Sequence, residues 1–256
     1  MSRRDRVSNA GPLGHGYLLT PFPHVTFDAP RASSEAQTPL DGCVNEAVGI
    51  VAVHDLNGGE AMRVVLNEFM SLDGVVQAPG GADEDTDSGF AHGGWSMPYF
   101  DPEVMGAAIG EAMTRVDALL FGRRTWEVMA AAWPERAGDP FADQMNSMKK
   151  FVASRTLRQD DLTWANSTLL SPDDAIADIA AMRKQTGGDL SVMGSASLAK
   201  TLLANGLVDE LNVMIEPILL GGGKQIFPDD GTARPLKLVK SVTTGTGVLI
   251  CTYHPA

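Results

Sequence analysis

The chain has 256 residues, of which 44% are hydrophobic and 20% charged, and 20 basic against 32 acidic side chains leave a net charge of −12. That balance fits one large globular domain or two small ones. It excludes general attraction to nucleic acid, which needs a basic surface. The only cysteines, Cys43 and Cys251, form no CxxC pair. Neither a zinc site nor a disulfide framework is expected, and a reducing cytoplasm is the fitting compartment. No apolar run approaches the roughly 20 residues of a membrane helix.

Residues 1–61 are rich in Pro, Gly, Ser and Asn and show no sustained period. They read as a disordered N-terminal extension, with one candidate strand at 48–53, and the folded domain is expected over 62–256. From Met62 onward strands and helices alternate. Arg63 to Met70 has a strand pattern, followed by the turn Ser71-Leu72-Asp73-Gly74 and a short strand at Val75-Val76. A glycine-rich loop spans 78–100. Its acidic run Asp83-Glu84-Asp85-Asp87 reads as solvated. A helix is predicted from Pro102 to about Arg115, with Asp101 as N-cap and Pro102 as its first residue. Val116 to Phe121 is a buried strand, stopped by Gly122 and followed by a helix over about 125–132. Short strands are predicted at Lys150–Ser154 and Leu162–Ala165. Pro172 to Thr186 is a periodic helix, closed by Gly187-Gly188.

A second apolar run, 190–193, ends at Gly194 and leads into a helix over 197–205. A strand from Asp209 to Leu219 and the glycine run 221–223 follow. Two last strands, 236–243 and 248–254, look antiparallel. This order predicts a three-layer α/β fold: a mainly parallel central sheet, helices on both faces and antiparallel C-terminal edge strands. The two strand-glycine-helix turns are the most informative features. Each leaves free backbone N–H groups and a positive helix end at a strand terminus, which suits a phosphate.

Gly122-Arg123-Arg124-Thr125-Trp126-Glu127 resembles the Gly-Arg-x-Thr-Trp-Glu segment of the dihydrofolate reductase fold. More closely, the chain resembles the C-terminal reductase domain of the bifunctional riboflavin biosynthesis protein (the RibD C-terminal domain). Three stretches carry that likeness: 69–75 (Phe-Met-Ser-Leu-Asp-Gly-Val), Gly194-Ser195-Ala196-Ser197-Leu198, and Val208 through Gly223. The resemblance covers about 62–254. It implies a dihydrofolate reductase-like fold and an NADPH-dependent reductase acting on a small heterocyclic or ribosylamino substrate. It also implies a homodimer, for which the C-terminal strand pair offers an edge. The deaminase half of the bifunctional protein is missing: no H-x-E and P-C-x-x-C pair is present. A non-catalytic nucleotide-binding or dimerisation module on the same fold is the alternative.

The resemblance also assigns candidate residues. Gly122, Arg123, Arg124 and Thr125 would hold the 2′-phosphate and pyrophosphate of NADPH, with Ser154 and Arg155 as a second pole. Gly194, Ser195, Ser197 and Leu198 form the other turn. There a Gly-Ser pair replaces the two glycines, joined by a cis bond, of dihydrofolate reductase. Ser71 and Asp73 end the first strand, where nicotinamide and substrate should meet, although Asp-Gly is also a common turn pair. Asp101 is the other candidate acid, with N-capping as its second reading. No histidine spacing suggests a metal.

Overall fold

A computed structural model describes residues 59–256. The predicted extension, the strand at 48–53 and Cys43 lie almost wholly outside the described residues. Eight strands form one sheet: β1 (Arg63–Ser71), β2 (Val116–Gly122), β3 (Lys149–Ala153), β4 (Ser167–Leu169), β5 (Asp189–Val192), β6 (Glu210–Glu216), β7 (Leu236–Thr243) and β8 (Leu249–Pro255). Their order is β4-β3-β2-β5-β1-β6-β8-β7. The first six are mutually parallel, while β8 runs antiparallel to both β6 and β7. This is the predicted mainly parallel sheet with an antiparallel edge.

The alternation of side chains in β2 builds the layers. Ala118 and Leu120 enter one core with Leu198, Ala199 and Leu202 of α5 (Ala196–Ala204) and Ile179 of α4 (Ala175–Met182). Leu119 and Phe121 enter the other core. There they meet Met113 of α1 (Val104–Met113), Trp126 of α2 (Arg123–Ala132) and Met145 of α3 (Pro140–Ser147). Both faces of the central strands are therefore covered, as a parallel sheet requires. At the far edge Leu236, Leu238, Val239 and Val242 of β7 remain exposed.

Three local predictions need correction. The strand expected at 162–165 is displaced to Ser167–Leu169. Trp164 is buried for packing instead, with its indole N–H donating to Asn146 Oδ1 at 2.8 Å. Helix α3 lies in a stretch with no predicted element; Asp139 caps it by accepting from the N–H groups of Phe141 and Ala142. The short strand at Val75-Val76 is a single bridge, Val75 to Gln225.

Lys150 has no exposed surface. Its ammonium donates to the carbonyls of Asn146, Met148 and Ala165 at 2.7–3.1 Å and sits 4.4 Å from the Trp164 ring. It ties the end of α3 to the approach to β4. At the opposite end of the sheet, Asp189 is bracketed by Arg63 and Arg115, and Glu210 by Arg63 and His254. This charge network closes the N-terminal ends of β1, β5 and β6. Among the described residues no helix is long and apolar enough to cross a membrane.

Candidate active site

The two glycine turns come together because β2 and β5 are neighbours in the sheet. Gly122 N–H donates to Gly194 C=O at 3.0 Å. A side chain at Gly122 would collide with Ser195 Oγ and lie 3.0 Å from Ser195 N. Gly194 has φ +95°, and a side chain there would lie 2.9 Å from Thr125 Oγ1. Both positions therefore need glycine: one for space, one for space and backbone conformation. The Gly194–Ser195 peptide is cis, the geometry of the Gly-Gly pair that this Gly-Ser pair replaces.

Capping distinguishes these helices from their neighbours. Neither α2 nor α5 has a side-chain cap on its first turn, whereas α3 and α4 are capped by Asp139 and Asp174. The uncapped N–H groups of α2 and α5 thus start at adjoining strand ends, where an anion would complete both helices.

One groove is lined by Gly122, Arg123, Arg124 and Thr125, by Ser154 and Arg155, and by Gly194, Ser195, Ser197 and Leu198. Ten of the predicted residues thus line one groove. Arg123 is exposed and bonds Glu127 one turn along α2, at 3.0 Å. Arg124 reaches Asp87 at 2.6 Å, and Lys224 holds Asp85 and Asp87 at 2.6 and 2.7 Å. The acidic loop read as solvated is therefore fastened to α2 and to the segment before β7. Partly exposed pairs of this kind are worth at most about 1 kcal/mol, so they leave both arginines available to a phosphate. Ser154 Oγ accepts from the N–H groups of Thr156 and Leu157, shaping the turn that presents the exposed Arg155.

Three predicted residues stand outside this lining. Ser71 is buried; its hydroxyl donates to Asp73 Oδ1 at 2.6 Å and accepts from Val75 N. Asp73 also accepts from the N–H groups of Leu220 and Gly221, at 2.7 Å for the latter. These bonds, the Ser71 hydroxyl foremost, lower its pKa to about 2. Its carboxylate clips the end of β1 to the glycine run at 221–223. Asp101 Oδ1 accepts from Glu103 and Val104 N–H at 3.1 and 3.0 Å, which is N-capping of the turn leading into α1. Its Oδ2 accepts from Gly245 N at 3.3 Å.

The groove also carries residues that the sequence reading left unremarked. Beyond the turns it runs over one face of β1, β6 and β8. Phe69, Met214 and Ile250 are direct cross-strand neighbours there and form an apolar row. Two residues down each strand, Asn67, Asn212 and Thr252 form a polar row. It is linked by hydrogen bonds from Asn212 Nδ2 to Asn67 Oδ1 and from Thr252 Oγ1 to Asn212 Oδ1. Glu68, between Asn67 and Phe69 in β1, points to the opposite face of the sheet, the face of Leu66 and Met70. Burial pushes the pKa of Glu68 up to about 8 and raises that of Glu84.

The chain is similar to several known proteins. The chain is 28% identical over 203 residues to the uncharacterized protein YyaP of Bacillus subtilis (strain 168), covering 77% of this chain and 97% of that one. A solved structure from Shewanella sp. PV-4, named for riboflavin biosynthesis, superposes with a TM-score of 0.55 at 23% identity. It covers 76% of this chain and 99% of its own. A dihydrofolate reductase from Enterococcus faecalis, complexed with NADP(H), aligns over 75% of this chain and 96% of its own, at 14% identity and a TM-score of 0.47. The RibD C-terminal domain family matches residues 62–250, nearly the whole of the described fold. The chain belongs to the RibD C-terminal domain family.

Proposed function

We propose that the protein is an NADPH-dependent reductase of a small planar heterocycle or its ribosylamino derivative. The observation that carries this reading is the pair of uncapped helix starts meeting at Gly122 and Gly194. Their N–H groups offer two adjacent anion sites of the kind a dinucleotide pyrophosphate spans. Arg123 and Arg155, exposed on either side of the β2 and β3 strand ends, supply guanidinium groups for a 2′-phosphate; Arg124 adds charge and Thr125 a hydroxyl. Bound there, the nicotinamide cofactor supplies a hydride. The chain's own residues do the rest: they anchor the phosphates, shield the reacting face from water and orient the acceptor. The apolar row Phe69–Met214–Ile250 offers a flat ring a surface, and the amide and hydroxyl row beside it offers its polar edge partners.

Turnover tests the assignment. NADPH absorbance should fall when pyrimidine and pterin acceptors are screened with the full chain, and only in the presence of an acceptor. NADPH bound without oxidation by any acceptor would support a non-catalytic nucleotide-binding module instead.

A further inference from the structure

The polar row of the groove has a direction. Asn67, Asn212 and Thr252 stand side by side on neighbouring strands, half-buried in the groove wall. Asn212 Nδ2 donates to Glu210 Oε1 at 3.0 Å and to Asn67 Oδ1 at 3.1 Å. Asn67 Nδ2 donates to Ser191 Oγ at 3.0 Å and to the Val65 carbonyl at 3.4 Å. Thr252 Oγ1 donates to Asn212 Oδ1 at 2.7 Å.

Two obligate acceptors fix this direction. Glu210 is paired with Arg63 at 3.1 Å, and a carboxylate only accepts. Asn212 must therefore turn its amide nitrogen to Glu210, which turns its Oδ1 to Thr252. The Val65 carbonyl likewise only accepts, so Asn67 turns its nitrogen that way and its Oδ1 to Asn212. Every side-chain N–H and O–H of the three residues is then spent inside the protein. An amide oxygen can take two hydrogen bonds, and so can a hydroxyl oxygen. Among the described residues Asn67 Oδ1 and Asn212 Oδ1 each have one donor, and Thr252 Oγ1 has none. What the row has left to offer the groove is acceptors alone.

Along each strand this row lies two residues, about 7 Å, from the row Phe69–Met214–Ile250. A ring lying on the apolar row thus brings one edge to the open oxygens. The next residue outward, Lys240, already has its ammonium on Glu111 of α1 at 3.2 Å. We propose that Asn67, Asn212 and Thr252 determine substrate specificity: they take a planar heterocycle whose facing edge carries N–H donors, and they reject an edge of ring carbonyl or phosphate oxygens. This rests on the reductase reading above. An exocyclic amino group brings two N–H bonds to three oxygens that can accept them. A carbonyl edge sets lone pairs against lone pairs and leaves polar atoms on both sides without a donor, so it is disfavoured by the row as well as unrewarded.

The test uses the full chain and two uncharged probes of one shape, 2-aminoquinazoline and 2-methylquinazoline, which differ in an amino group for a methyl. In calorimetric titrations with and without NADPH, the amino probe should bind about tenfold or more tighter, as two added hydrogen bonds require. The ratio of the two affinities reads the polar row and not the general fit of the groove, because both rings stack alike. Asn212→Leu, which keeps the bulk of the side chain, should bring the ratio near one. Thr252→Val, which removes one acceptor, should lower it in part and serves in place of Asn212→Leu if that variant does not fold, as thermal midpoints report. An amino probe bound no tighter than the methyl probe overturns the proposal. So does a preference that survives Asn212→Leu or Thr252→Val unchanged, or the absence of binding by either probe. Nicotinamide fluorescence on the same samples reports on the reductase reading separately: absence of NADPH binding overturns that reading, whatever the probe ratio.

Discussion

Gly122→Ala should weaken NADPH binding by at least about tenfold and cost about 1–3 kcal/mol of stability. The new methyl group would strike Ser195 Oγ and press on Ser195 Cβ and N, both 3.0 Å away. The serine hydroxyl can rotate away, but the backbone nitrogen can move only with the start of α5. The two helix starts would separate by a few tenths of an ångström, and the 3.0 Å bond from Gly122 N to Gly194 O would lengthen. A cradle that relies on two sets of N–H groups converging is sensitive to that displacement. Adding Ser195→Gly in the same chain should restore part of both losses, because it removes two of the three colliding atoms. Titration of the single and double variants with NADPH, alongside their thermal midpoints, checks this. Unchanged affinity in Gly122→Ala would show that the contact between the turns does not shape the nucleotide site.

A second large effect concerns pH. Glu216 has no exposed surface; Ser96 Oγ donates to its Oε1 at 2.7 Å, while Oε2 has no partner. Burial pushes its pKa from 4.5 up to about 7. In the unfolded chain the group loses its proton near 4.5; in the folded chain it holds the proton to about 7. The folded state thus binds more protons in that window, and its stability falls as pH rises from about 4.5 to 7, then levels. The loss is on the order of 3 kcal/mol. Glu68 acts in the same direction up to about pH 8. Glu216→Gln, which cannot ionise, should match wild type near pH 4.5 and exceed it above pH 7. Urea midpoints measured across this range for both proteins give the difference directly. A constant difference with pH would mean that Glu216 does not carry the linkage.

The fold was legible where the period was long and punctuated. The apolar runs before Gly122 and Gly194 could only be buried strands, and the helices after them followed from the glycine stops. Family resemblance then grouped the nucleotide-side residues, and the structure brings ten of them to one groove. Helix α3 was obscured because Pro134, Gly138 and Pro140 read as breaks, although Asp139-Pro140 is a cap followed by a first-turn proline. Leu162 and Trp164 resembled a strand because packing and strand formation call for the same side chains.

The acids were harder still. Asp73 and Asp101 are the candidate acids of the sequence, but their acceptors are taken by backbone N–H groups. No sequence pattern reports those bonds. Glu68 was passed over because one acid in an apolar strand resembles a solvent-facing position. Its signal was available nonetheless: β1 is a central strand of a parallel sheet, where an ionised side chain is costly on either face.

The central claim is that the paired helix starts hold NADPH, and nicotinamide fluorescence during titration of the full chain with NADPH and with NADH tests it most directly. The account predicts micromolar binding of NADPH, about tenfold or more tighter than NADH, with Arg123→Ala erasing most of that difference because one charge-assisted contact to the 2′-phosphate is lost. Absence of binding by either nucleotide would contradict it and leave the groove to a different ligand.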